Sequence, residues 1–93
     1  MYKIFIAYNR DTPGWILELL SKDVDVCVRG AVAWNPNTSI RTLNVLSKDE
    51  HENIRAAIAG HPNTPIETIH ELSNDKHHFP FLTARKRLSL SDG

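Results

Sequence analysis

Shifted by 26 residues, the chain matches itself. Between residues 7–32 and 33–58, ten of 26 positions are identical: Ala7/Ala33, Asn9/Asn35, Thr12/Thr38, Leu17/Leu43, Leu20/Leu46, Ser21/Ser47, Lys22/Lys48, Asp23/Asp49, Arg29/Arg55 and Ala31/Ala57. A third copy opens at Ala59 and keeps Pro62, Asn63, Thr64, Ile66, Thr68, Leu72, Ser73, Asp75 and His77 of the second. Chance at this composition gives roughly one or two identities per copy. Such a repeat is one supersecondary unit that buries its apolar face only against its neighbours, so the chain must fold by placing copy on copy.

Each copy reads as two short helices. Asn35-Pro36-Asn37-Thr38 and His61-Pro62-Asn63-Thr64 are breaker-rich turns, and the threonine is expected to N-cap the first helix. In the third copy Thr64, Pro65 at the first helical position and Glu67 read as a capping box. The first helix carries apolar columns Leu17/Leu43/Ile69 and Leu20/Leu46/Leu72, and a Ser-Lys-Asp or Ser-Asn-Asp segment ends it. The second carries Val28, Ala31 and Val32, repeated as Ile54, Ala57 and Ile58, and stops before the Asn-Pro or His-Pro turn. Helices this short are marginal alone and must be held by neighbouring copies.

The expected fold is therefore all-α, a right-handed α-solenoid of about three two-helix repeats. One domain covers residues 1–88, divided into a half-repeat 1–6 and copies 7–32, 33–58 and 59–88, with a polar tail at 89–93. Residues 1–6 look like the second half of a preceding copy, with Ile6 at the Val32 position, although the alternation of Tyr2, Ile4 and Ile6 also suits a short strand. The third copy degenerates after His77. Aligning Ala84 with Ala57 requires a one-residue insertion, puts Phe81 at the Ile54 position and leaves Arg85 where Val32 and Ile58 stand. Arg85, Lys86 and Arg87 then read as a solvated cap on the terminal repeat.

Composition narrows the function classes. The 93 residues hold one cysteine, Cys27, so this chain alone supplies neither an internal disulfide nor an all-cysteine metal site, and a reducing, cytoplasmic setting is expected. No apolar run reaches membrane-spanning length, and Met1–Ile6 is too short for a secretory signal. Formal charge is zero, but residues 1–82 carry eight Lys/Arg against ten Asp/Glu while residues 83–93 carry three against one. The only basic patch is the C-terminal one.

The units Ala33-Trp34-Asn35-Pro36-Asn37-Thr38, Leu43…Leu46-Ser47-Lys48-Asp49, Ile54-Arg55-Ala56-Ala57-Ile58-Ala59 and Gly60-His61-Pro62-Asn63-Thr64-Pro65 resemble the leucine-rich repeat variant family, whose repeats run as A-x-N-P-N-T-P…L…L…D…V-R…A-V-A. The resemblance covers about residues 4–77. It implies a right-handed superhelix of alternating α and 3₁₀ helices. The copies here are somewhat longer than that family's usual repeat, which moves the second helix toward a HEAT-like α/α arrangement. Some members also carry a cysteine-rich iron–sulfur module, to which this chain has no counterpart. The resemblance implies an interaction surface, and function has to be argued from sites.

Asp23 and Arg29 are six apart and Asp49 and Arg55 repeat that spacing. They are expected to form a structural ladder, each arginine gripping the aspartate of its own or the adjacent repeat. Trp15, Arg41 and Glu67 share an outward column of the first helix, so periodicity predicts either an exposed tryptophan at a binding face or one folded over Tyr2 or Phe5. Tyr8 and Trp34 share a second column, completed by Gly60, which either packs on the neighbouring proline turn or meets a partner. His51, His61, His70, His77 and His78 lack metal-ligand spacing, and Cys27 lacks an activating environment. The carboxylates Glu18, Glu50, Glu52, Glu67 and Glu71 form no pair in an apolar cleft, and no phosphate-binding glycine loop occurs.

The expected function is a non-catalytic helical-repeat protein, without cofactor or metal, that binds another macromolecule, foremost a protein, through one face. A second reading is a nucleic-acid-binding accessory protein using Arg85, Lys86 and Arg87. A HEAT-like glycosylase is the nearest enzymatic analogue, without the catalytic aspartate pocket it requires. A homodimer through the open ends of the repeat array is compatible with each.

Overall fold

The computed structural model describes the backbone of residues 2–92 and side chains through residue 90. Among these residues it holds seven α-helices and no strand: α1 Tyr2–Tyr8, α2 Gly14–Leu20, α3 Val26–Trp34, α4 Ile40–Leu46, α5 Glu52–Gly60, α6 Ile66–Leu72 and α7 His78–Asp92. Residues 2–6 are thus helical, and the strand alternative for Tyr2–Ile6 falls away. Met1 and Gly93, the outermost residues of the expected half-repeat and tail, lie outside the described residues. Both helices of every pair are α-helical. Among the described residues, no helix is long and apolar enough to cross a membrane.

The odd-numbered helices pack in chain order, α1 on α3, α3 on α5 and α5 on α7, while α2, α4 and α6 each lie against the odd helix that follows. The molecule measures 39 × 22 × 16 Å. Its core follows the 26-residue columns: Leu17, Leu43 and Ile69 from the even helices, Val32, Ile58 and Ala84 from the odd ones, all buried.

Two local expectations are overturned. The threonines do not cap the helices that follow them. The N-cap positions are Pro13, Ser39 and Pro65, and of these only Ser39 has a side chain that accepts, from Thr42 N. The helices begin two residues beyond each threonine, so its hydroxyl turns back instead. Thr12, Thr38 and Thr64 donate to the carbonyls of Ile6, Val32 and Ile58 at 2.5, 2.7 and 2.7 Å, closing the C-terminal ends of the preceding odd helices. The capping box with Glu67 consequently does not form, and Glu67 is exposed.

The second correction concerns register. No insertion interrupts the third copy. Pro80 is buried where Val28 and Ile54 are, and Ala84 where Val32 and Ile58 are. Pro80 lies in the first turn of α7, where its missing N–H costs nothing. The identity of Ala84 with Ala57 suggested the insertion, but burial follows the uninterrupted 26-residue spacing. Residues 89–92 of the expected polar tail continue α7, which runs through Asp92; Leu88 replaces the proline that ends α3 and α5 at Pro36 and Pro62.

Candidate functional site

One edge of the row of helices is tied by charge. Arg29 donates from Nε and Nη2 to Asp49 at 2.8 and 3.2 Å, and Arg55 repeats the grip on Asp75 at 2.7 and 3.3 Å. Each arginine also donates from Nη1 to the backbone carbonyl of its own copy's aspartate, Asp23 or Asp49, at 2.9 and 2.7 Å. The carboxylate therefore comes from the adjacent copy and the carbonyl from the arginine's own. Each carboxylate in turn accepts from the backbone N–H two residues on, at Asp25, His51 and His77.

A further rung lies at the start of the chain. Lys3 Nζ sits 3.0 Å from Asp23 Oδ2. Lys3 stands 26 residues before Arg29, a signal missed when only the apolar residues of the half-repeat were read. Arg55, with help from the His77 N–H, holds the Asp75 carboxyl down to about 2 against the opposing effect of burial. The Asp25 N–H and then the Lys3 ammonium lower Asp23, and the paired carboxylates raise Arg29 and Arg55. Hydrogen bonds hold every rung of this edge in place, which is a structural arrangement.

The opposite edge is tied through the turns. Asn35 is buried, and its Nδ2 donates to the carbonyls of Ala7 and Asn9 at 2.8 and 2.9 Å while its Oδ1 accepts from Asn37 N. One copy later His61 does the same work. Its Nδ1 accepts from Asn63 N at 3.0 Å, leaving the proton on Nε2 to be donated to the Asn35 carbonyl at 2.8 Å. Arg87, another 26 residues on, donates from Nη1 to the carbonyls of Ala59, at 3.0 Å, and His61, and from Nη2 to that of Pro62. Arg87 is therefore no solvated cap residue: its guanidinium closes the last turn. Arg85 and Lys86 are exposed, with the Arg85 guanidinium 5.1 Å from the centroid of the Phe81 ring.

The outward columns differ in what surrounds them. Trp15, Arg41 and Glu67 stand exposed on α2, α4 and α6, one to a helix, and Arg41 Nε lies 3.3 Å from Glu18 Oε1. Trp15 is 66% exposed and does not fold over the half-repeat. Tyr8 and Trp34 are also exposed, and Trp34 lines a groove of about 550 Å³ with Pro36, Ala56, Gly60, Pro62 and Phe79. Gly60 opens this groove: it occupies the column of Tyr8 and Trp34 but carries no side chain. A Cβ there would meet Thr83 Cγ2 at 3.6 Å, an ordinary contact. Phe79, 59% exposed, forms the far wall and was not singled out from the sequence, because the presumed insertion obscured its place in the repeat.

Among the described residues, no group of three or more His, Cys, Asp or Glu side chains is placed to hold a metal, and no buried side-chain polar atom lacks a hydrogen-bond partner. Cys27 is exposed. No family model, curated protein or solved structure matches the chain.

Proposed function

We propose that this chain is a non-catalytic helical-repeat protein, an α-solenoid of the leucine-rich repeat variant or HEAT-like kind, that binds an apolar segment of another protein between Trp34 and Phe79. The observation that carries this reading is the groove. Its volume of about 550 Å³ lies within the usual range for binding clefts. The exposed aromatic rings of Trp34 and Phe79 line it together with Pro36 and Pro62, and large aromatic side chains are enriched at interface anchors. No lysine, arginine or carboxylate lines it, so its chemistry suits an aliphatic or aromatic side chain and offers a phosphate no lysine or arginine.

The nucleic-acid reading is weakened by the geometry of its own patch. With Arg87 engaged by three carbonyls, only Arg85 and Lys86 are left as an exposed basic pair. Two charges give little phosphate affinity and no base readout.

Selection from a displayed random-peptide library tests the proposal, with fluorescence anisotropy of a dye-labelled selected peptide as the readout. Peptides with an apolar anchor are expected, and Gly60→Trp should abolish their binding while leaving helical circular dichroism unchanged. Peptides that bind Gly60→Trp and Trp34→Ala as well as they bind the parent chain would overturn it.

A further inference from the structure

Two cations flank one end of the groove. Asn53, Ala56, Ala57 and Gly60 make a single stripe along α5, between Trp34 of α3 and Phe79 of α7. Gly60 stands in the column Tyr8, Trp34, Gly60, Lys86, so a lysine follows the missing ring. Lys86 is exposed, one turn of α7 beyond Thr83, whose Cγ2 would lie 3.6 Å from a Cβ at position 60. Arg87 comes next, with its guanidinium on the carbonyl of Pro62, which lines the groove. Among the described residues neither cation has a carboxylate partner: Arg87 is held by carbonyls alone, and Lys86 makes no ion pair. At the other end the groove is lined by Asn53, next to Glu52 in the chain.

That charge decides among the occupants two aromatic rings could take. Trp34 and Phe79 would suit a cation as well as an apolar side chain, but no carboxylate lines the groove, and Lys86 and Arg87 would repel a bound positive charge. An uncharged ring carries no such penalty and fits the space that Gly60 leaves. A cavity of about 150 Å³ already takes a benzene, against about 550 Å³ here. A carboxylate beside that ring would meet the two cations at the Pro62 end.

We infer that the segment bound in this groove carries an aromatic residue with an aspartate or glutamate beside it, the ring lying over Gly60 between Trp34 and Phe79 and the carboxylate pairing with Lys86. The inference rests on the groove being a peptide site and adds what that peptide must contain. Its reach follows from the helix. Seven rises separate Asn53 from Gly60, about 10 Å of axis, which an extended chain crosses in about three residues. The acidic residue therefore lies within about two positions of the ring, since one farther along would fall outside the site. The field of Lys86 and Arg87 speeds encounter with such a segment, and salt weakens it.

Peptides selected from the random library on the full chain test the inference once they are resynthesised with both ends capped, so that no terminal carboxylate remains. Those whose binding is lost in Gly60→Trp should share an aromatic residue with Asp or Glu close by. Each is compared by anisotropy with a version in which the acid is replaced by its amide. Lys86→Glu, at an exposed position, should weaken the acidic peptide by at least about tenfold while leaving the amide version within about twofold and the helical content unchanged. Gly60-dependent peptides with aliphatic anchors or no acidic neighbour, or a Lys86→Glu variant that treats acid and amide alike, would overturn the inference and leave the groove reading standing. A library that yields no Gly60-dependent peptide removes both.

Discussion

The two edges of the row hold consecutive copies together by different chemistry. Along one, Lys3, Arg29 and Arg55 each reach an aspartate 20 residues on. Along the other, Asn35, His61 and Arg87 each reach back to carbonyls at or just before the preceding turn. The charged edge admits less variation, since a cation is needed to balance the charge of the carboxylate. The turn edge needs merely an N–H at the right place, so amide, imidazole and guanidinium all serve. Chemical identity marks the first edge in the sequence, whereas only position marks the second.

The sharpest way to break this comparison is at the charged edge. Arg55→Ala leaves the Asp75 carboxylate, only 10% exposed, without its counter-ion, and should cost on the order of 3 kcal/mol in urea denaturation. A loss below about 0.5 kcal/mol would mean that the edge is decorative. At the turn edge, Asn35→Ala strips donors from two carbonyls and an acceptor from Asn37 N, for an expected loss of about 2 kcal/mol. His61→Asn should stay within about 1 kcal/mol of the parent, because the column already accepts asparagine at Asn35. If His61→Asn proves as damaging as Asn35→Ala, the equivalence of donors along this edge is wrong.

Acid separates the edges further. Asp75 is depressed to about 2 in the folded chain and lies near 3.9 when unfolded. Its contribution to stability is complete above the unfolded value and is lost as pH falls through the folded one. Thermal unfolding followed from about pH 5 to pH 2 should show a decline that flattens in Asp75→Asn and keeps its slope in Asn35→Ala. The smallest effect is expected at Trp15. Trp15→Ala should shift stability by less than about 0.5 kcal/mol, given its exposure, and leave groove binding intact; loss of peptide binding in this variant would move the site to the even-helix face.

The helix pairs and their buried columns were legible because apolar spacing repeats three times, and each copy corroborates the others. The arginine–aspartate spacing was equally visible, but not which copy supplies the carboxylate: a six-residue interval in sequence says nothing about packing between copies. Thr12, Thr38 and Thr64 misled because a hydroxyl before a helix can serve either neighbouring helix, and here it serves the one behind. Arg87 was read as a surface charge because composition weighed more than register. Counting 26 back to His61 and Asn35 would have placed it. The groove was out of reach, since it depends on a side chain that Gly60 lacks and on Phe79 facing it from α7.

The ties between copies also bear on how the chain acquires its shape. The side-chain rungs join residues 20 to 28 positions apart, so closing one loop never requires another, longer one to close first. Loop entropy grows only with the logarithm of length, and contacts of uniformly short range favour rapid folding. Any pair of neighbouring copies can nucleate, and order spreads from it rung by rung. Unravelling follows the same steps in reverse, from an end inward, so amide hydrogen exchange should rise toward the termini and be slowest around α3 and α5.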